Sequence, residues 1–302
     1  MKTSSKIHWP KLASLSCITL ALTLLAACGA LGSVAPGAAN ASMYAQTVLP
    51  GNTKPHASNV VVVMMENRDY KLVIGSKDAP YINGTLVPES ALMTNSHAIG
   101  HPSQPNYLAF FSGSTQGVTD DSCPHSFGTP NVGAELIGAS LTFDGYSESM
   151  PSDGYTGCYA GTYARKHNPW VNFTNVPASS NLVYKGFVKP PSTLDIIVPN
   201  LCHDMHDCTT KTGDTWLKKN LPAILNYNKA HNGLLILTWD EADPDANGKN
   251  QIATILTGPM ITPGKYNQNI DHYSVLRTIE DIAGVACTAN ACKATDLKGM
   301  WH

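Results

Sequence analysis

Charge is scarce in this chain, and neither sign dominates. Lys, Arg, Asp and Glu make up 14% of the 302 residues, with 20 basic against 22 acidic. The charge balance argues against nucleic acid, which requires a basic face. Beyond the first 27 residues no apolar run reaches the roughly 20 residues that a membrane-spanning helix needs. After residue 57 there is no repeat, no composition break and no block of like charge, which argues for one domain. What the chain has instead is 24 Gly and 20 Pro, a composition suited to a loop-rich exported protein.

The N-terminal stretch stands apart. Met1–Ala27 carries Lys2, Lys6 and Lys11 and no acid, then runs apolar from Leu12 towards Leu25. A charged start, a short apolar stretch and small residues at the end read as a secretory signal peptide. Leu25-Ala26-Ala27-Cys28 followed by Gly29 resembles a bacterial lipoprotein signal, in which Cys28 becomes the acylated N-terminus. Cleavage after Ala39-Asn40-Ala41 is the alternative. Residues 28–57, rich in Ala, Gly, Ser and Pro, are read as a flexible tether, and 58–302 as the folded domain. Loss of the three lysines leaves 17 basic against 22 acidic, a net charge of −5. The expected location is the bacterial cell envelope through a lipid anchor, or the periplasm or exterior. Contact with the membrane is expected through that anchor alone.

Cysteine usage agrees with export. Cys17 leaves with the signal and Cys28 would carry lipid, leaving Cys123, Cys158, Cys202, Cys208, Cys287 and Cys292. An even set in an oxidising compartment predicts disulfides, although the connectivity is open. Short loops make 202–208 and 287–292 the natural local pairs, with 123–158 left over. Zinc held by Cys202, His203, His206 and Cys208 is the competing reading.

Val60–Met65 is a continuous apolar run, which marks a strand buried on both faces of a parallel sheet. Leu234–Trp239 and Ile252–Thr257 are two more, the last ended by Gly258-Pro259. Helices are predicted over Tyr107–Ser112, Thr215–Lys229 and Tyr273–Ala283. The third puts Leu276, Ile279 and Ala283 on one face. Strands separated by helices predict an α/β/α sandwich with a mostly parallel central sheet.

Two of these strands end in oxygen-bearing residues: Glu66-Asn67 after the first, Asp240-Glu241 after the second. The carboxyl ends of strands form the ligand crevice of such sheets, so these residues could hold one hard divalent cation. Solvated turn residues are the plainer reading. In His101-Pro102-Ser103-Gln104-Pro105-Asn106, Ser103 stands where a helix N-cap would, with Gly113 past the end. A hydroxyl there is either a cap or a nucleophile beside a phosphate-binding helix terminus.

Glu66-Asn67-Arg68 after a valine strand, the His101–Asn106 block with its following Ser112-Gly113, and Asp240-Glu241 resemble, in order, the bacterial phosphoesterase family. That family holds acid phosphatases and phosphatidylcholine-type phospholipases C and is related in fold to alkaline phosphatase. Tyr146-Ser147-Glu148-Ser149-Met150-Pro151, Lys166-His167-Asn168-Pro169 and Asp204-Met205-His206-Asp207 resemble its short acid-phosphatase branch. The resemblance implies one divalent metal, Ca²⁺, Mg²⁺, Mn²⁺ or Zn²⁺, held by Glu66, Asn67, Asp240 and Glu241. Ser103 beside the metal would be the nucleophile. It implies further that Asn106 holds phosphoryl oxygens and that His206 and His272 bind phosphate or donate a proton, with Asp204 in support. His101, His167 and His203 carry weaker implications. The implied substrate is a phosphorylated small molecule or phospholipid head group, with phosphate monoesters hydrolysed through a phosphoserine. A phospholipase C-like diesterase and a non-catalytic phospho-ligand-binding lipoprotein are the alternatives. Two departures favour the compact phosphatase: Asp240-Glu241 is followed by Ala242-Asp243 where phospholipases carry His-Gly, and the chain stops soon after the last helix.

Overall fold

A strand of six apolar residues in a row has no polar face to turn to water, so Val60–Met65 (β1) needs cover on both sides. The computed structural model describes residues 56–243 and 249–302 and supplies that cover. The signal peptide, Cys28 and the tether up to residue 55 lie outside the described residues. Val60, Val62 and Met64 pack into one apolar cluster, and Val61, Val63 and Met65 into a second on the opposite face. Each such buried side chain contributes about 2 kcal/mol.

In chain order β1 is followed by α1 (Tyr70–Val73), β2 (Ala91–His97), α2 (Ser103–Ser112), α3 (Val132–Gly138) and β3 (Phe143–Ser147). A small hairpin, β4 (Tyr159–Ala160) with β5 (Tyr163–Ala164), precedes β6 (Asn181–Val183) and β7 (Leu194–Val198). Then come α4 (Thr210–His231), β8 (Leu234–Trp239), β9 (Gln251–Thr257), β10 (Gly264–Tyr266), β11 (Ile270–Asp271) and α5 (His272–Ala283). The main sheet has nine strands, ordered β10-β2-β9-β8-β1-β7-β3-β6, with β11 also on β2. Five neighbours, β8-β1-β7-β3-β6, are parallel; β9 is antiparallel to both β8 and β2. Helices α2, α3 and α5 pack on one face through Phe110, Phe111, Leu136 and Ile279. On the other face, α4 packs through Trp216, Leu217, Leu221 and Ile224. The expected α/β/α sandwich with a mostly parallel sheet is what the chain forms.

Helix ends differ from the sequence reading. α4 starts at Thr210, a turn earlier than predicted, with the Thr209 hydroxyl accepting from Thr212 N. Gly213 and Asp214 hide that first turn from a propensity reading, yet Asp214 is buried and accepts from Tyr81 N and Ile82 N. α2 starts at Ser103 itself, with Pro102 in the cap position and no side-chain cap bond. Ser103 is therefore not the N-cap. Its far end is as expected: Gly113 closes α2 at φ 67, where an added Cβ would stand 2.2 Å from Thr288 O.

The cysteines pair 123–158, 202–208 and 287–292. Because Cys202 and Cys208 are joined, with Cα atoms 4.7 Å apart, neither offers a thiolate, and the alternative zinc set is ruled out.

Candidate active site

Parallel register decides which residues meet. Met65 pairs with Trp239 across β1 and β8, so the next residues on each strand, Glu66 and Asp240, emerge side by side at the carboxyl edge. Asp240 N donates to Met65 O at 3.0 Å, and Asn67 N donates to Asp240 Oδ1 at 3.0 Å. On the other flank, Glu66 N donates to the carbonyl of Asp204, in the loop after β7. Glu66, Asp204, Asp240 and Glu241 are all buried.

Into this group α2 delivers Ser103. Its hydroxyl lies 3.0 Å from Glu66 Oε2 and 3.1 Å from Glu241 Oε1, bridging the ends of β1 and β8. The other oxygen of Glu241 meets His101 Nδ1 at 2.5 Å. The other oxygen of Glu66 faces His167 Nε2 at 3.0 Å, and His167 Nδ1 stands 3.6 Å from Asp204 Oδ2. Tyr107, one turn beyond Ser103, stacks on the His167 ring at 5.0 Å.

Electrostatics divides these groups. Burial, the largest single influence, would raise Glu66, but the charge and hydrogen bond of His167, with the Lys166 charge and a Tyr107 hydrogen bond, together outweigh it and hold the carboxyl at about 2. Burial alone would lower His167; Glu66 and Asp204 lift it to about 9, so it is a buried cation. Burial and the Glu66 charge push Glu241 up to about 8, and burial lifts Asp204 to about 6. Asp240 is raised well above the carboxylate range by burial and by both glutamates. Burial lowers His101.

His167 faces Glu66 and Asp204, leaving Asp240 and Glu241 to crowd Glu66 without that cation, and Asp240 Oδ2 is buried without a hydrogen-bond partner. An all-oxygen set of this kind suits a hard divalent cation. Among the described residues no three His, Cys, Asp or Glu side chains form a ready-made cage, so the fit rests on donor type and charge. Glu66, Asp240 and Glu241 are the residues fitted to it; Asn67, at φ 48, adjoins them through its backbone.

Other residues have different places. Asn106 accepts from Ile99 N and Gly100 N and donates to Gly100 O and Pro102 O. With its amide so engaged, it holds the loop before Ser103 and presents no free donor to a phosphoryl oxygen. His272 is buried, and its Nε2 donates to Asp240 O at 2.6 Å. It fixes the Asp240 backbone and does not face solvent. His206 is partly exposed, bonded to Asp207, with its ring 6.0 Å from that of His167. His203 turns away to Glu148.

Sequence reasoning gave His167 too little weight, quoted Lys166 in its block without a role, and missed Asp121. Asp121 Oδ1 accepts from Gln104 N, and Oδ2 pairs with Lys166 Nζ at 2.8 Å. One carboxylate thereby ties the helix carrying Ser103 to the segment carrying His167. The Lys166-His167 dipeptide was a usable signal for the second half; nothing local marks Asp121.

Ser103 thus meets strand-end carboxylates at the edge of an α/β sandwich, and comparison with known proteins gives the class, a hydrolase of phosphoric esters. The model of the phosphoesterase family matches residues 76–286, and the chain belongs to that family. Glu66 and Asn67 precede the matched span. A phosphatidylinositol-3-phosphatase of Mycobacterium tuberculosis is 43% identical over 85% of this chain and 87% of its own length. A probable acid phosphatase of Kluyveromyces lactis is 30% identical over 72% of this chain, which spans only 56% of that relative. In fold, a protein of the alkaline phosphatase superfamily from Vibrio parahaemolyticus is similar at TM-score 0.57 and 13% identity, covering 80% of this chain and 71% of that one.

Proposed function

We propose that the chain is an exported, metal-dependent phosphatase that hydrolyses phosphate monoesters through a phosphoserine on Ser103. The observation that carries this reading is the position of Ser103 Oγ, buried between Glu66 and Glu241 beside the cationic His167. The relatives named phosphatases support the monoester. The relative named a phosphatidylinositol-3-phosphatase, at 43% identity, supports a phosphorylated lipid head group as the substrate class. Three disulfides support export.

Ser103 Oγ attacks phosphorus in line with the leaving oxygen, forming the O–P bond as the old one breaks. Its proton passes to Glu241 Oε1, the flanking glutamate whose other oxygen is bonded to His101. Through Glu241 Oε2 the proton reaches His101 Nδ1, and His101, partly exposed, protonates the leaving oxygen. His167 offsets charge gathering beside Glu66. Glu66 and Asp240, with Glu241 beside them, would hold a divalent cation, which would supply Lewis-acid neutralisation of the phosphoryl charge. Water then cleaves the phosphoserine.

Acid-quenching the enzyme with radiolabelled monoester and digesting it tests the reading. Label is expected on the peptide holding Ser103; label on any other peptide overturns it.

A further inference from the structure

At the same carboxyl edge of the sheet, but outside the site, lies a groove of about 780 Å³ between α4 and the segment after β6. Lys211, Thr215 and Lys219 follow one another at four-residue spacing, so they form one stripe of α4 along the groove. Lys185 faces them from the other wall, and the buried rings of Tyr184 and Trp216 are part of the lining. The one carboxylate in the lining is Glu148, already engaged by His203 Nδ1, Asn200 N and Trp216 Nε1. None of the three lysines has an ion-pair partner among the described residues. The groove is therefore a concentration of uncompensated positive charge on a chain whose overall charge is −2.

Its rim carries a second feature. In Tyr184-Lys185-Gly186-Phe187-Val188-Lys189, Val188 is 50% exposed between two exposed lysines. Apolar area flanked by lysines is the pattern of a segment that rests on a bilayer, with its apolar part at the acyl boundary and its charges among the head groups. A soluble anion gives Val188 nothing to bury against. The groove also adjoins the site across one loop: His203 lines the groove, while the next residue, Asp204, is buried beside His167.

We propose that the groove lined by Lys185, Lys211 and Lys219, with Val188 at its rim, docks the protein on anionic phospholipid head groups of a bilayer. Docked this way, the chain holds the Ser103 edge of the sheet at the lipid surface. This goes beyond the phosphatase reading and does not need turnover to be tested.

The test uses the full chain carrying Cys28→Ser, so that no acyl anchor contributes. Its sedimentation is measured with vesicles of phosphatidylcholine alone and of phosphatidylcholine mixed with phosphatidylserine. Partition into the mixed vesicles only, weakening with salt, is expected. Lys211→Glu/Lys219→Glu should cut partition by about ten-fold or more, and Val188→Asp should also lower it, while hydrolysis of p-nitrophenyl phosphate stays unchanged. Equal partition into both vesicles, or no effect of the lysine reversals, overturns the proposal. Calorimetry with glycerophosphoserine separates the sources: soluble head group bound through these lysines without any vesicle partition means a solute site and overturns bilayer docking. If p-nitrophenyl phosphate is not hydrolysed at all, the phosphatase reading fails while the vesicle result still decides the groove.

Discussion

At the scale of single residues, Ser103 separates chemistry from stability. It does not cap α2, and its hydroxyl is spent on two carboxylates. Ser103→Ala should lower kcat by several orders of magnitude while moving the melting temperature little, because no helix terminus loses a bond. Ser103→Thr should keep measurable activity. His101 is tested through the leaving group. If it protonates the departing oxygen, His101→Gln should slow an alkyl phosphate by about a hundred-fold and p-nitrophenyl phosphate much less, since nitrophenolate leaves without a proton. Equal losses on both substrates would remove that role. Exhaustive chelation should abolish turnover, and added Mg²⁺, Mn²⁺, Ca²⁺ or Zn²⁺ should restore it; full activity after chelation would exclude the cation. Glu66 and Asp240 were legible because each directly follows a run of buried strand, and Glu241 because it adjoins Asp240. His167 was not: one histidine in a loop carries no periodicity, and its importance comes from a stacking tyrosine and two carboxylates that only the fold assembles.

At the scale of elements, the three long apolar strands β1, β8 and β9 were legible, as was α5 to within one residue of its start, but the shorter strands and the starts of α2 and α4 were not. An unbroken apolar run such as Val60–Met65 has one reading, burial on both faces, and register then places Glu66 against Asp240. The start of α2 depends on long-range partners. Gln104 N, in its first turn, finds its acceptor in Asp121, which the chain reaches only after leaving the helix. Asp121 therefore makes a prediction of its own. Asp121→Ala removes the acceptor at the helix start and the ion pair with Lys166, and should cost about 1 kcal/mol of stability. Asp121→Asn keeps an oxygen for Gln104 N but not the charge. It should regain most of the stability while activity stays reduced, because the Lys166-His167 segment is no longer held by charge. Thermal melts and kcat on the two variants separate these effects. If Asp121→Asn is as active as the wild type, the strut acts through the cap alone.

At the scale of the whole molecule, buried acids outside the site set how stability varies with pH. Asp195, within β7, is raised to about 8, chiefly by burial, and Glu280, in α5, to about 7 for the same first reason. Both carboxyls are buried, Asp195 beside Ser192 N and Glu280 accepting from Thr288 N and Oγ1. In the unfolded chain each would titrate in the ordinary carboxylate range, near 4. Between the two values the folded state holds a proton that the unfolded state has released. Stability must then fall as pH rises, by about 1 kcal/mol per pH unit for each group within its own window. The window for Asp195 runs from about 4 to about 8 and that for Glu280 from about 4 to about 7. The protein should thus melt higher at pH 5 than at pH 7, the reverse of a fold that relies on ionised carboxylates. Asp195→Asn, which fixes the neutral form, should raise the melting temperature at pH 7 and leave it nearly unchanged at pH 4, flattening the profile. A melting temperature that climbs from pH 5 to pH 7 in the wild type, or an Asp195→Asn profile as steep as the parent's, would show that these carboxyls are ionised in the fold.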